Sequence, residues 1–396
     1  MLINLWYVAE WSKVVKDKPV KAKLLGQNFV LFRDEAGKVN CLSDVCLHRG
    51  GSLAGGSVHK DCVACPYHGW RYNGKGEVTF IPSRGEAGPI PQRAMIDAYP
   101  TEERYGLIWV FLGDLPEAER YPIPPLPEYG QPGWRELQGE FTWKASAARV
   151  VENGIDMAHA SFVHPVFGHP STAAKNFIES EHREEAWATH TVVMHPPQFK
   201  GIVRQFIRSE RQPTRVRPSY YLSGYSVRLQ VDLRPGWSTI VFDANTPVDE
   251  FTTRTFAVQL RSFFRSPIFD KDSKRRLMQI FEQDATIVEQ SQPNWLPETL
   301  ENELSVQHDR FMSNWRSTRR RHIEEFGWQI DSQALKPHEG FKTFTIPSPA
   351  RREHPEIKWV LDTVPLKPAT KKRRSFQETT AATETQQTGE VEGSDA

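Results

Sequence analysis

Cys46-Leu47-His48-Arg49-Gly50 and, after sixteen residues between His48 and the next cysteine, Cys65-Pro66-Tyr67-His68-Gly69-Trp70 form the stretch on which the reading of this chain turns. Each segment offers one thiol and one imidazole within three or four positions. Two such pairs suit a [2Fe–2S] cluster held unequally, one iron by two thiolates and the other by two imidazoles. Imidazole is neutral where thiolate is anionic, so exchanging two thiolates for two imidazoles raises the reduction potential. Gly50, Gly51, Gly55 and Gly56 leave room for backbone close to such a cluster. On this reading Cys46, His48, Cys65 and His68 are the cluster ligands.

A competing reading uses all four cysteines of the chain, Cys41, Cys46, Cys62 and Cys65, which fall within one 25-residue window. The pairs Cys41-x4-Cys46 and Cys62-x2-Cys65 have spacings that suit a tetrahedral zinc site. That reading leaves His48 and His68 without a role. It also recruits Cys41 from the end of an apolar strand, where a buried inert thiol is commonplace. A disulfide-built secreted domain would be smaller or spread its cysteines more widely. The glycine-rich run Gly51 to Ser57 is not a P-loop, because no Gly-Lys-Ser/Thr follows it.

Around this stretch the chain is ordinary globular protein: 396 residues, 38% hydrophobic and 25% charged, with a mean hydropathy of −0.55. No apolar run approaches the ~18 residues of a membrane span; the longest clear one is Leu107 to Leu112. Met1 to Trp6 lacks the basic, apolar and small-residue regions of a signal peptide, so a cytoplasmic location is expected. With 50 basic and 49 acidic residues there is no electrostatic footprint for nucleic acid.

The expected fold class is α+β. Residues 1–115 are rich in short strands, including a hairpin of Phe29–Phe32 and Val39–Leu42 across the turn Arg33 to Gly37, and a strand over Tyr105–Leu112. Residues 116–139 are proline-rich and read as a linker, since proline blocks helix and sheet ladders alike. Residues 140–366 read as an antiparallel sheet carrying helices. Tyr225, Val227, Leu229, Val231 and Leu233 alternate with polar residues as a strand with one buried face. Ala186–Met194 and Thr252–Leu260 are further strands, and Ile268–Gln290 has helical periodicity. Residues 367–396, with the basic run Lys371-Lys372-Arg373-Arg374 and one aromatic, Phe376, cannot bury enough apolar surface to order and read as a disordered tail.

A second constellation lies in this latter part. In Glu152-Asn153-Gly154-Ile155-Asp156-Met157-Ala158-His159, followed after four intervening residues by His164, helical spacing puts Asp156 and His159 on one face with Glu152 a turn earlier. His164, before Pro165, falls where the helix must end. Within 268–290, Leu277, Ile280, Phe281, Ile287 and Val288 form an apolar stripe, and Asp284 falls inside it. A lone buried carboxylate is costly unless paired or metal-bound, so Asp284 is either half of a buried ion pair or a metal ligand. With His159 and His164 it would complete a 2-His-1-carboxylate triad for Fe(II), with open positions for dioxygen.

Both constellations resemble one family. Cys-x-His and Cys-x2-His are similar to the Rieske signature, with Tyr67 and Trp70 matching its Cys-Pro-Tyr-His-Gly-Trp form. Rieske proteins of respiratory complexes have an additional disulfide-forming cysteine in each loop, which these loops lack, so the resemblance is to the lower-potential oxygenase type. Asp156, His159, His164 and Asp284 match the Asp-x2-His-x4-His and distant Asp of Rieske oxygenase catalytic domains. The resemblance spans residues 1–365. It implies an N-terminal all-β Rieske domain followed by an antiparallel-sheet-plus-helices domain with a mononuclear iron. It implies that Asp156 is no iron ligand but links an iron-site histidine to a cluster histidine of the next subunit in a head-to-tail homotrimer.

The implied activity is that of a terminal oxygenase acting on a small molecule and O2, supplied with NAD(P)H electrons by a separate reductase, with or without a ferredoxin. No Gly-x-Gly-x-x-Gly fingerprint is present to oxidise NAD(P)H within the chain. By analogy the expected chemistry is monooxygenation, as hydroxylation or O/N-demethylation of an aromatic or largely apolar compound. Cis-dihydroxylation, desaturation and sterol or alkaloid oxidation use the same iron chemistry and stay open. The alternative from another class is an electron-transfer iron–sulfur protein without oxygenase activity. The family's substrate pocket is built from the region 170–265 and the helix around Asp284. Here that region holds Phe206, Tyr220, Tyr221, Tyr225, Trp237 and Phe256, and Arg204, Arg208 and Arg211.

Overall fold

Short β-branched and aromatic runs separated by turns give the N-terminal region three small antiparallel sheets, one of three strands and two of four. The computed structural model describes residues 1–86, 88–164, 178–195, 214–299 and 303–371. The expected hairpin forms, Gln27–Arg33 pairing with Val39–Ser43, and Leu107–Leu112 runs between Leu5–Trp11 and Thr101–Arg104 with every residue buried. Val30, Phe32, Leu42, Leu53, Val63 and Tyr72 pack around Cys46 and Cys65 as one core.

The described residues divide into two compact units, those within 1–123, 246–250 and 328–367 and those within 124–245, 251–327 and 368–396. Residues 328–367, read above with the catalytic domain, thus group with the N-terminal strands. A buried charge explains this placement. Asp97 is fully buried and accepts hydrogen bonds from Arg351 Nε and Nη2, both at 2.8 Å, from Thr345 Oγ1 at 2.6 Å and from Ser348 Oγ at 2.8 Å. Losing the Arg351 segment would strand that carboxylate.

The second unit is built on a seven-stranded antiparallel sheet, in the order Arg135–Trp143, Thr253–Arg261, Trp237–Pro247, Ser226–Arg234, Thr214–Tyr221, Ala188–His195, Ile178–Glu184. The first of these begins at Arg135, inside the span read as linker, because its residues pair with Thr253–Arg261 along their whole length. Four helices matter for the site: α1 (Ala147–Ile155), α2 (Ala160–Val163), α3 (Asp270–Val288) and α4 (Arg310–Phe326). Leu277 and Phe281 of α3 pack with Trp143, Val150 and Ala257. Tyr220 and Tyr225 meet Trp315 of α4 edge-on. The α+β class and its order, small all-β region first, are as the sequence implies. Phe206, Arg204, Arg208, Arg211 and the tail from Lys372 on lie outside the described residues.

Candidate functional site

The two cysteine–histidine segments fold as twin loops. In each, the glycine four residues after the cysteine donates its N–H to the cysteine carbonyl, Gly50 to Cys46 at 2.9 Å and Gly69 to Cys65 at 3.0 Å. In each, the cysteine N–H returns to the next carbonyl, Gly51 or Trp70, both at 2.8 Å. The turn needs a left-handed residue at its corner, with φ +72° at Gly50 and +71° at Gly69, which glycine supplies without steric cost. Asp44 ties the first loop down, accepting from Ser52 Oγ at 2.6 Å and Ala54 N at 2.8 Å.

The loops bring all four residues named from the sequence together. Cys46 and Cys65 are buried, His48 is half-buried and His68 exposed. The two imidazoles lie with ring centroids 4.4 Å apart, and His48 stacks on Trp70 at 5.0 Å. The surroundings fit a cluster. His48 Nδ1 is shielded from solvent with no hydrogen-bond partner, as befits a nitrogen whose lone pair is reserved. A Cβ at Gly51 would stand 3.2 Å from Cys65 Sγ, so only glycine leaves that sulfur's flank open. Tyr72, wholly buried, donates to Cys46 Sγ at 3.3 Å and accepts from Leu47 N at 3.0 Å; nothing in the sequence spacing marks it out. The four-cysteine alternative is not met, because among the described residues the four thiols do not converge on one point. Cys41 sits opposite Leu31 and Tyr99, where burial pushes its thiol well up, and Cys62 Sγ meets Thr79 Oγ1 at 3.4 Å.

The second constellation is not one continuous helix. Helix α1 stops at Ile155, and Asp156 caps it in extended conformation, with Oδ1 accepting from Ala158 N at 2.8 Å. Such side-chain competition for backbone N–H groups ends helices. His159 and His164 then bracket the short helix α2 as its two caps. Glu152 takes no part in the cluster of histidines; Arg316 Nε and Nη2 hold its carboxylate at 2.6 and 2.9 Å.

Helix α3 supplies the remaining group. Leu277, Phe281, Asp284 and Val288 are its buried face, whereas Ile287, expected in the stripe, is 54% exposed. Asp284 Oδ1 lies 3.3 Å from His159 Nε2 and 3.1 Å from His164 Nε2, and the two nitrogens are 3.3 Å apart. Three lone-pair atoms at these separations are the spacing of ligands ~2.1 Å from a common first-row ion. Among the described residues this is the group whose ligand atoms converge on one point. Asp284 Oδ1 and His159 Nδ1 are shielded and have no hydrogen-bond partner.

Gln283, not singled out in the sequence, holds His164 Nδ1 at 2.9 Å through Oε1. That bond fixes the proton on Nδ1 and turns the Nε2 lone pair inward. Asp156 Oδ2 is 3.5 Å from His159 Nδ1. Burial pulls His159 down, but the Asp156 and Asp284 carboxylates outweigh it and push the imidazole up to about 9. Burial raises Asp284, and the two histidines more than offset it, holding the acid below its ordinary value. An ionised acid facing positive charge is the electrostatics that a bound divalent ion provides.

The three groups open on a cavity of about 630 Å³, within the range of small-molecule sites. Its walls are helix residues such as Trp143-adjacent Val150 and Phe281, and aliphatic side chains of the sheet: Val227, Leu229, Val231 and Leu233. The alternating face of the strand Ser226–Arg234 is therefore a cavity wall and not a filled core, and Leu229, Val231 and Leu233 are only half-buried. Tyr220, Tyr221, Tyr225, Trp237 and Phe256, expected around a pocket, do not line this one.

A mixed all-β and α+β chain with a Cys2His2 loop pair and a His2Asp triangle belongs to the Rieske non-haem iron oxygenases, whose cofactors are a [2Fe–2S] cluster and Fe(II). Two family models match: the Rieske [2Fe-2S] domain over residues 4–100 and the vanillate O-demethylase oxygenase C-terminal domain over residues 143–325. The methylxanthine N1-demethylase NdmA of Pseudomonas putida is 28% identical over 309 residues, 77% of this chain and 80% of that protein. The chloroplastic chlorophyllide a oxygenase of Chlamydomonas reinhardtii is 40% identical over 167 residues, 41% of this chain and 24% of its own. The solved structure of NdmA of Pseudomonas putida CBB5 with caffeine shares the fold, with a TM-score of 0.68 at 24% identity over 79% of this chain and 89% of that one. Matches to the first-ranking curated relatives span only 24% to 46% of their lengths. No helix among the described residues is long and apolar enough to cross a membrane.

Proposed function

We propose that this chain is the terminal oxygenase component of a Rieske non-haem iron system in the cytoplasm. It hydroxylates, or O- or N-demethylates, an aromatic or other largely apolar small molecule, with electrons relayed from NAD(P)H by a separate reductase. The observation that carries the reading is the Asp284–His159–His164 triangle, with edges of 3.1–3.3 Å, opening on an apolar cavity. Cys46, Cys65, His48 and His68 are the residues that would hold the cluster, and His159, His164 and Asp284 those that would hold Fe(II). Bound there, the cluster supplies single electrons and the mononuclear iron supplies dioxygen activation.

The chain's own residues prepare the rest. The aliphatic wall binds the substrate's apolar body and excludes water from it. Gln283 keeps the His164 proton on Nδ1. Asp156 caps α1 and faces His159 Nδ1. In a head-to-tail homotrimer it would link that histidine to a cluster histidine of a neighbouring copy. Exposure of His68, with both cysteines buried, supports electron exchange at the imidazole edge of the loops.

The test is metal content. Protein purified without oxygen is expected to hold about three irons and two acid-labile sulfides per chain, with no stoichiometric zinc. A chain that keeps only about two irons after Fe(II) is added back would be an electron carrier, and the oxygenase reading would fall.

A further inference from the structure

Along the strand Trp237–Pro247 every second residue, Thr239, Val241, Asp243 and Asn245, faces the cavity, and Asp243 stands opposite Val227 on the next strand. An acid amid aliphatic neighbours calls for a partner. Asn245 is satisfied within the protein: its Nδ2 donates to Tyr225 O at 2.9 Å and its Oδ1 accepts from Thr255 Oγ1 at 2.6 Å. Asp243 is not. Its Oδ1 is shielded from bulk solvent with no hydrogen-bond partner, and so is Oε1 of Gln259, another cavity residue. The residue as a whole is half-buried, since its remaining side-chain surface fronts the hollow.

Among the described residues the arginine on the cavity wall is Arg276, and it is 55% exposed and bonded through Nε to Asp272 at 2.7 Å. It does not neutralise Asp243. Among the described residues the cavity thus presents two unmet acceptors, Asp243 Oδ1 and Gln259 Oε1.

We infer that Asp243, with Gln259, sets substrate choice by recognising a hydrogen-bond donor, an amine or a hydroxyl, on an otherwise apolar molecule, and that it disfavours a carboxylate there. The inference rests on the proposed oxygenase reading of this cavity and names its substrate class. Buried acceptors left unpaired are costly, so a ligand that supplies the missing donor gains by filling both space and bonding deficit. A carboxylate would add acceptors and charge where neither is served.

Four probes of one shape test this on the full-length holoprotein by titration calorimetry: 1-naphthylmethanol, 1-naphthylmethylamine, 1-methylnaphthalene and 1-naphthoate. The alcohol and the amine are expected to bind roughly tenfold tighter than the methyl compound, and the naphthoate more weakly than all three. Asp243→Leu should bring alcohol and methyl compound within about twofold. Asp243→Asn should keep the preference for the alcohol and lose that for the amine, separating the two donor types. Either variant serves if the other does not fold. Naphthoate binding as tightly as the alcohol, an unchanged ranking in Asp243→Leu (water serving both acceptors), or no binding by any probe would overturn the inference. Iron and sulfide measured on the same samples keep the readings apart. Iron without the ranking removes this inference alone, whereas the ranking without iron removes the oxygenase reading and leaves a donor-selective cavity.

Discussion

Cys46, His48, Cys65 and His68 fall within 23 consecutive residues, on two loops that repeat one hydrogen-bonded ring. Asp284, by contrast, stands 120 residues beyond His164 and meets it only because α3 packs back across the sheet. The first site is specified locally: a cysteine, a left-handed glycine and a tied-down backbone set each half. The second depends on tertiary packing, and its ligands are spaced by the contact of α3 with Trp143 and Phe141. A locally specified site should tolerate damage elsewhere; a packed one should not.

Asp284→Ala is the hardest test of that contrast. It should lower substrate oxidation by at least ~10³-fold through loss of the third ligand, while the visible spectrum of the cluster is unchanged; a spectrum lost along with activity would show the two sites to be coupled in folding. Asp156→Asn should leave both metals bound yet slow reduction of the mononuclear iron by on the order of 10²-fold, read by rapid-mixing spectroscopy. Unaltered reduction would deny Asp156 a linking role. Gln283→Leu frees the His164 ring and should weaken Fe(II) binding ~10–100-fold, measured by metal competition. Tyr72→Phe removes the bond to Cys46 Sγ and should lower the cluster potential by on the order of tens of millivolts, without any effect on Fe(II) content.

The smallest effect concerns acid. Burial holds the His322 imidazole at about 3 against an ordinary 6.5, so the unfolded chain takes up the proton first. Stability is complete above about 6.5 and is lost as pH falls towards 3, by at most ~1.4 kcal/mol per pH unit. His322 belongs to α4 of the second unit, which carries the His159–His164–Asp284 triangle. Thermal midpoints measured between pH 7 and 5 should therefore fall less steeply in His322→Gln than in the parent chain.

The same contrast explains what could be read from the sequence. The cluster loops were legible because all their determinants are neighbours along the chain. His159, His164 and Asp284 were legible because an acid inside an apolar stripe is conspicuous. The break between α1 and α2 was not, since helical periodicity continues through Asp156 while its carboxylate quietly takes the Ala158 N–H. Nor was the cavity. Alternation along Ser226–Arg234 says that one face avoids water, but a filled core and a hollow impose the same pattern. Aromatic richness misled for a related reason: Tyr220 and Tyr225 are spent against Trp315. Tyr72, Gln283 and Asp243 carry no spacing that would announce them.

In the second unit every candidate iron ligand is carried by helices or their caps, while the facing wall, with Leu229, Val231 and Asp243, is carried by strands. Chemistry and choice of guest are thus written on separate structural elements. Descent can revise one without redrafting the other: exchanges along a single strand face would move the enzyme to a new compound while its reactive centre is inherited intact.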